Sequence, residues 1–363
     1  MSTLAEASEK AVGTPRANGF RQPAEWREHA ACWLAWPSHG DLWLESLAPV
    51  RQAFVDFAKA IAHLDPASGE PRGEHLRILV PDDENERLAR RALAGLPCRF
   101  HRIPFGDIWL RDTAPVFVSS ADRVAAVSFA FNGWGGKYVL PHDADVSAAV
   151  AKASGRSAFR FDWVLEGGSV EVDGEGTCLT TRQCLLNPNR NPSMTREQVE
   201  AGLRDALGVE TVLWLGDGLR NDHTDGHVDT LARFVAPGVV VCMEPDRNDP
   251  NREALLQIKK DLSEMTDARG GPLRVTTVPS PGEVRDEDGE LMPASYVNFY
   301  IANTTVVVPT YGSTHDDEAV DRIGTLFPGR RSVGVSAKEL LRGGGAFHCI
   351  SQQQPASPHD DDE

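Results

Sequence analysis

The sequence predicts an α/β fold in one continuous domain, and three observations support this prediction. Short apolar runs typical of strands alternate with amphipathic runs typical of helices along the 363 residues. No linker rich in Pro, Gly or Ser divides the chain, although its length exceeds that of most single-core domains. Polar segments recur at intervals of roughly 50 to 70 residues, about the size of one supersecondary unit. We therefore expect one domain over residues 19–355, with a flexible segment at 1–18 and an acidic, disordered tail at 356–363.

The individual elements follow from local patterns in chain order. Residues 77–80 form a short apolar run that predicts a strand, and the acidic residues after it predict a helix that ends near Leu93. Residues 251–265 carry Leu255, Ile258 and Leu262 at helical spacing, which predicts an amphipathic helix. The other predicted elements are strands over 124–131, 239–243, 297–301 and 305–308, a helix over 316–326 and a surface loop over 280–292.

Charge and composition exclude several classes of protein. The chain has 37 basic and 53 acidic residues, which gives a net charge of −16. Such a surface repels nucleic acids and anionic membranes, and it is compatible with a small cationic substrate. We therefore predict neither a nucleic-acid partner nor a membrane partner.

The cysteine pattern indicates a reducing compartment. Six cysteines are scattered without a CxxC pair, and the spacing typical of zinc sites is absent. The N-terminal residues lack the apolar region of a secretory signal, and no apolar run reaches the length of a membrane span. We predict a cytoplasmic protein with reduced thiols and no metal site.

Five polar segments punctuate the alternation, each near the end of a predicted strand. If the modules repeat around an axis, their ends converge on a central pocket, where sites commonly form. The segments are Asp107–Asp112, Glu166–Gly168, Gly226–Asp229, Ser295–Asn298 and Gly345–Cys349.

Each candidate residue has an ordinary explanation when it is taken alone. Asp112 lies beside Arg111, and a surface ion pair or a turn cap would account for it equally well. Glu166 would be accounted for equally well as a hydrogen-bond acceptor in a turn. For His227, the ordinary explanation is a histidine in a strand without a catalytic role. Cys349 is explained by a small buried thiol that follows a glycine-rich turn, Gly343–Gly345.

Taken together, these residues favour attack on a guanidinium group. A guanidinium is planar and charged, and its N–H groups pair with carboxylates, so Asp112 and Asp229 are expected to clamp it. Cys349 is then the nucleophile, and His227, steered by Glu166, transfers protons to ammonia and from water. An empty site is expected either to be hydrated or to raise the pKa of its carboxylates, and a thiol buried among carboxylates can have a raised pKa as well.

The chain resembles agmatine deiminases and the related bacterial peptidylarginine deiminase-like proteins of the guanidino-group modifying superfamily. The resemblance extends from Phe20 to Pro355 and depends on many motifs that occur in the family's order. The strongest are Trp109–Thr113, Phe131–Gly136, Leu165–Ser169, Asp173–Thr177, Asn187–Pro192, Thr224–Asp229 and Ala294–Tyr300.

The resemblance implies a five-bladed α/β-propeller of pseudo-fivefold symmetry with the site on its axis. It also implies hydrolysis of a guanidine to a ureido product and ammonia without a metal or organic cofactor, in a possible homodimer. The family's nucleophile, histidine, glutamate and two aspartates correspond to Cys349, His227, Glu166, Asp112 and Asp229. Trp109, and less directly Trp134, are expected to line the pocket, with core packing as the alternative for either residue.

Five positions depart from the agmatine-specific pattern and leave the substrate open. Ala346 and Phe347 stand where Asn-Ile is usual, His223 replaces an acidic residue, and Thr230 and Ala114 replace Asn and Gly. Agmatine, converted to N-carbamoylputrescine on the route to putrescine and other polyamines, is the first hypothesis. Free arginine, peptidyl-arginine or another guanidinoalkyl compound is the second. A catalytically silent propeller that binds guanidines is the third.

Overall fold

Five β-sheets form the core of the computed structural model, which describes residues 11–358. Four sheets contain three strands that are consecutive in the chain, and the fifth joins the last strand, β16, to β1, β2 and β3. The strands are β1 (His29–Ala35), β2 (Leu76–Val80), β3 (Cys98–Arg102), β4 (Val116–Ser119), β5 (Val124–Ala130), β6 (Ser157–Val164), β7 (Val170–Val172), β8 (Thr177–Thr181), β9 (Thr211–Leu215), β10 (Ala232–Ala236), β11 (Val239–Glu244), β12 (Arg274–Pro279), β13 (Tyr300–Ile301), β14 (Thr305–Thr310), β15 (Arg331–Ser336) and β16 (Gln352–Pro355).

All five sheets follow the same pairing rule. The first strand runs antiparallel to the second, and the second runs parallel to the third, as in β4-β5-β6 and β16-β1-β2. Because parallel neighbours need a crossover, a helix joins the second strand of each sheet to the third. The first strands of different sheets lie close together, since β16 packs against β4 and β7 against β10. The predicted five-bladed α/β-propeller is therefore confirmed.

The longer helices are the crossovers, and their apolar faces cover the sheets. In α9, Leu255, Ile258 and Leu262 are the buried residues, as the spacing predicts. The helix α8 begins with a capping box between Thr195 and Gln198. The helices are α1 (Gly40–Trp43), α2 (Leu47–Ala62), α3 (Asp83–Ala92), α4 (Leu110–Thr113), α5 (Gly133–Gly136), α6 (Asp143–Ala153), α7 (Arg182–Leu185), α8 (Arg196–Leu207), α9 (Arg252–Glu264), α10 (Asp316–Leu326) and α11 (Lys338–Leu341).

The predicted elements agree with these bounds apart from one strand. The prediction over 297–301 is wrong for its first half, because only Tyr300–Ile301 pairs with the next strand. The chain before it turns, with the Asn298 amide donating to the Ser295 carbonyl at 3.4 Å, and this turn directs Asn298 toward Cys349.

The two ends of the domain were predicted to be flexible. Residues 1–10 and 359–363 lie outside the described part of the chain. Within 11–18, the Ala11 amide donates to the Ala158 carbonyl at 3.1 Å, and Arg16–Asn18 forms a 3-10 turn. At the other end, the Ala356 amide donates to Glu28 at 2.8 Å. No helix within residues 11–358 has the length and apolar character that crossing a bilayer requires.

Candidate active site

The five predicted polar segments occupy equivalent places, between the last strand of one blade and the first strand of the next. Since the first strands lie around the axis, all five segments face the same central region. Asp112 lies on α4, Glu166 precedes a 3-10 turn at Gly167–Ser169, and His227 precedes another at Val228–Thr230. Cys349 lies just before β16. The repeat inferred from spacing is therefore a real feature of the fold.

The Cys349 thiol has two polar neighbours at the bottom of a cavity. Its Sγ accepts a hydrogen bond from Asn298 Nδ2 at 3.2 Å and lies 3.7 Å from Asp229 Oδ2. Burial raises the pKa of this thiol well above its usual value, and the charges of Asp229 and Asp112 raise it further. This direction agrees with the expectation for a thiol buried among carboxylates.

Gly345 allows the backbone to approach the nucleophile closely. A Cβ at this position would lie 2.8 Å from Cys349 Cβ and 2.7 Å from the Trp109 ring. Any residue other than glycine would therefore displace the cysteine or the tryptophan. The close approach expected of the glycine run is present here.

Asp112 is a buried carboxyl group with two donors. Its Oδ2 accepts from Trp134 Nε1 at 2.8 Å, and its Oδ1 accepts from the Gly168 amide at 3.0 Å. Burial raises the pKa of Asp112, and the nearby carboxylates Asp229 and Glu166 raise it as well. This agrees with the expectation for an empty guanidinium clamp.

Asp229 contradicts the same expectation. Burial raises the pKa of Asp229, but the hydrogen bond and charge of His348, together with the charges of His227 and Arg233, outweigh burial, and the net shift is downward. His348 Nδ1 lies 2.7 Å from Asp229 Oδ2, while Oδ1 is buried without a hydrogen-bond partner. The two carboxyl groups of the predicted clamp are therefore inequivalent, and Asp229 has an oxygen free for a ligand.

His227 and Glu166 lie close together but are not hydrogen-bonded. Both ring nitrogens of His227 and Glu166 Oε2 are buried without partners, and His227 Nδ1 is 3.7 Å from Asp112 Oδ1. Arg190 Nε binds Glu166 Oε1 at 2.6 Å. The steering of His227 by Glu166 is therefore not made as a direct hydrogen bond here. Catalytic hydrogen bonds commonly tighten only when substrate binds.

One set of side chains has donor atoms suited to a metal ion. Glu166, Cys184 and His227 each offer a ligand atom, and these atoms lie within 4.8 Å of one another. Burial, followed by the charge of Glu166, raises the pKa of the Cys184 thiol well above its usual value, which opposes the thiolate that a metal requires. The prediction of a metal-free site remains a prediction.

A cavity of about 200 Å³ leads from Cys349 and Asp112 to the surface. Trp109 and Trp134 both line it, and each is fixed by its indole N–H, Trp109 to Asp107 Oδ2 at 2.8 Å and Trp134 to Asp112. The other lining residues are Leu42, Asp107, Tyr138, Leu140, His223, Thr224, Arg342, Gly343 and Gly344. The cavity has the shape of an apolar channel that ends in a polar site.

The five departures from the agmatine-specific pattern have different locations, and Ala114 among them is buried. His223 lines the cavity, and its ring stacks on Tyr138 with centroids 5.7 Å apart. Phe347 is in the core and stacks on Phe57 at 4.7 Å, and Ala346 is buried beside it. Thr230 donates its hydroxyl to the His227 carbonyl at 2.9 Å. Only His223 among these is placed to contact a substrate.

Sequence reasoning missed four residues that support the site: Glu25, Arg190, Asn298 and His348. Arg190 holds Glu166, and His348 bridges Asp229 and Glu25. Three of them stood in segments already singled out, Arg190 in the Asn187–Pro192 motif, Asn298 in the fourth polar segment and His348 in the fifth. Glu25 gave no signal, because its partner His348 is 323 residues away in the sequence.

Comparison with known proteins identifies the family. Residues 21–355 match the family described as Porphyromonas-type peptidyl-arginine deiminase. The chain belongs to this family. It is 39% identical to the agmatine deiminase of Ectopseudomonas mendocina over 94% of this chain and 97% of that protein.

Solved structures of this family extend the match to the fold. An Enterococcus faecalis agmatine deiminase aligns with a TM-score of 0.88 at 36% identity, over 96% of this chain and 99% of that one. A C. jejuni agmatine deiminase with substrate bound, a cysteine-to-serine variant, aligns with a TM-score of 0.83 at 26% identity, over 93% and 97%. The predicted resemblance is confirmed.

Proposed function

We propose that this protein hydrolyses agmatine to N-carbamoylputrescine and ammonia through a covalent thiouronium on Cys349. The observation that carries the proposal is the position of the thiol. Its sulfur lies at the closed end of a channel with two tryptophan walls, 3.7 Å from one carboxylate and beside a second. A family of deiminases, in which the named relatives act on agmatine, supports this assignment.

Binding places a planar cation between Asp112 and Asp229. The free Oδ1 of Asp229 accepts one edge of the guanidinium, and the ionised form of Asp112 accepts another. The butyl chain then lies along Trp109 and Trp134, where apolar contact replaces water. The guanidinium carbon is thereby held against the sulfur, and holding it there supplies much of the rate gain.

Chemistry proceeds in two halves that use the same histidine. The Cys349 thiol passes its proton to His227 as its sulfur bonds to the guanidinium carbon, and His227 donates that proton to the departing nitrogen, which leaves as ammonia. His227 then takes a proton from water, whose oxygen attacks the thiouronium carbon. The carbon–sulfur bond breaks, releasing the ureido product and restoring the cysteine. Glu166, fixed by Arg190, stabilises the histidine when it is charged.

Turnover assays test this proposal. We expect purified protein to release one ammonia and one ureido group for each agmatine consumed. Cys349→Ala should abolish both products, and Cys98→Ala, at a half-buried cysteine on β3, serves as the matched control that retains them. Turnover that survives in Cys349→Ala would show that another group is the nucleophile. Tight binding of agmatine without any ammonia would favour the silent guanidine-binding alternative.

A second candidate is deimination of a different guanidine. The observation that favours it is the outer part of the channel, where His223, Tyr138 and Arg342 contribute to the lining. Arg342 is paired with Glu287 at 2.6 Å, and His223 presents an imidazole where a distal ammonium would lie. Comparing kcat/KM for agmatine, arginine and a peptidyl-arginine separates the candidates, because that ratio defines specificity. Turnover of arginine but not agmatine would replace the first proposal with the second.

We further propose a homodimer that acts in the cytoplasm on this one small cationic substrate. The acidic surface and the reduced cysteines support this setting. Light scattering after size-exclusion chromatography tests the assembly, and a mass near that of one 39.5 kDa chain would contradict it.

A further inference from the structure

His348 lies between two carboxylates directly behind the proposed site. Its Nδ1 is 2.7 Å from Asp229 Oδ2, and its Nε2 is 2.8 Å from Glu25 Oε2. The imidazole is only 2% exposed, so water does not substitute for either partner. Both ring nitrogens are therefore committed to carboxylate oxygens.

This geometry determines how many protons the ring carries. A neutral imidazole has one N–H, whereas an imidazolium has two. Glu25 also accepts from Arg233 at 2.7 Å and from the Ile301 amide at 2.7 Å, so it acts as an acceptor. Asp229 Oδ2 also faces the Cys349 thiol at 3.7 Å. If both carboxylates accept, hydrogen bonds from both ring nitrogens require the doubly protonated ring.

The surrounding charges balance only with a charged ring. The groups that face His348 are the carboxylates Asp229, Glu25 and Glu171, the thiol of Cys349, and the guanidinium groups of Arg111 and Arg233. Asp229 itself also faces the His227 ring and the Asp112 carboxyl group. Arg111 also donates to the His348 carbonyl at 3.2 Å. Three carboxylates therefore face two arginines, and an imidazolium supplies the third positive charge. A neutral ring would leave one buried negative charge uncompensated.

We propose that His348, as an imidazolium between Asp229 and Glu25, is a positioning residue that keeps Asp229 ionised and turns its free Oδ1 toward the guanidinium. This inference rests on the proposed function, because it assigns Asp229 to substrate binding. His348 itself does not touch the substrate. It acts through Asp229, so its effect falls on substrate binding and on the acid side of the pH profile.

The replacement His348→Asn tests the proposal, because it can retain a donor toward Asp229 while removing the charge and the link to Glu25. We expect the pKa of Asp229 to rise, so the acid limb of kcat/KM moves to higher pH and KM for agmatine increases about tenfold per unit of that rise at low pH. The defect should shrink as the pH rises and Asp229 ionises again. A KM defect that is equal at pH 6 and pH 9 would overturn the proposal.

His29→Asn is the matched control. His29 is also buried and also pairs with a carboxylate, with Nδ1 2.7 Å from Glu74 Oε1, but it does not line the cavity. Its replacement should lower stability without moving the acid limb. If the two variants shift the profile alike, His348 has no special role.

Two further measurements keep the proposal testable if His348→Asn does not fold or agmatine is not the substrate. In wild-type protein with 15N-labelled histidine, both ring nitrogens of His348 should be protonated at pH 7, and a singly protonated ring would refute the proposal.

Calorimetry of butylguanidine with Cys349→Ser should show weaker binding at pH 6 when Glu25→Gln is added, because the ring loses one partner. Unchanged binding would refute the proposal. An absence of ammonia from wild-type protein and agmatine would instead refute only the proposed function.

Discussion

Replacing Gly168 with alanine introduces one methyl group among three functional side chains. The new Cβ would lie 2.6 Å from His227 Nδ1, 3.0 Å from Asp112 Oδ1 and 3.1 Å from Asp229 Oδ2. Ordinary contact begins near 3.4 Å, so the histidine must move by about 0.8 Å or the Gly168 backbone must shift instead. The Gly168 amide also binds Asp112, so a backbone shift disturbs the clamp as well.

Misplacement by about 1 Å costs on the order of a hundredfold in rate. We therefore expect kcat/KM for agmatine to fall about a hundredfold in Gly168→Ala, which corresponds to roughly 2.7 kcal/mol of transition-state stabilisation. The added methyl group should also lower the free energy of unfolding by about 1–3 kcal/mol through overpacking. The two effects are separable, because activity is measured well below the unfolding transition.

The assay follows ammonia and ureido product over a range of agmatine concentrations, with urea unfolding in parallel. Gly216→Ala is the matched control, since a Cβ there meets nothing within 4 Å and its backbone needs no positive φ. The control should keep kcat/KM within about twofold of wild type, as surface substitutions away from a site are close to neutral. Gly168→Ala that is folded and equally active would refute the assignment of His227, Asp112 and Asp229 to one reacting centre.

Three other expectations follow from the buried charges. Arg233→Met leaves Glu25 and Glu171 without their shared cation, so the free energy of unfolding should fall by about 3–5 kcal/mol, and an unchanged urea midpoint would contradict this. Trp134→Phe removes a hydrogen bond that lowers the pKa of Asp112, so the acid limb of kcat/KM should move to higher pH; a profile identical to wild type would show that Asp112 does not control it. Because the pKa of Asp112 is raised in the empty site and a bound cation favours its charged form, agmatine binding should release protons below that pKa. Calorimetry of Cys349→Ser in two buffers of different ionisation enthalpy measures the release, and equal heats would exclude it.

Local patterns in the sequence were sufficient for most of the fold. Apolar periodicity identified α9 and α10, and the spacing of polar segments indicated the repeat, because both are properties of neighbouring residues. The strand over 297–301 failed because a long-range contact, Asn298 with Cys349, competes with local strand propensity. The number of blades was predicted from the family resemblance, because no local sequence pattern indicates how many modules form a closed ring.

The sequence was sufficient to predict which groups form the site, but not the direction of every pKa shift within it. Burial was expected to raise the pKa of both clamp carboxylates, and it does so for Asp112. Asp229 differs because His348 and Glu25 come together from opposite ends of the chain when β16 joins β1. No local sequence pattern indicates that the last strand pairs with the first. The pKa shift of Asp229 therefore could not be predicted from composition or spacing.

The fourth polar segment, Ser295–Asn298, has a role in the site that follows from its place in the repeat and not from its own sequence. Each of the other four junctions supplies a reacting group, and by symmetry Ser295–Asn298 must also face the axis. Asn298 Oδ1 accepts from the Cys349 amide at 3.4 Å, which orients its Nδ2 toward the sulfur at 3.2 Å. Burial and two carboxylates raise the pKa of the thiol, and this amide donor opposes them. The amide N–H therefore stabilises negative charge on sulfur when the substrate cation arrives.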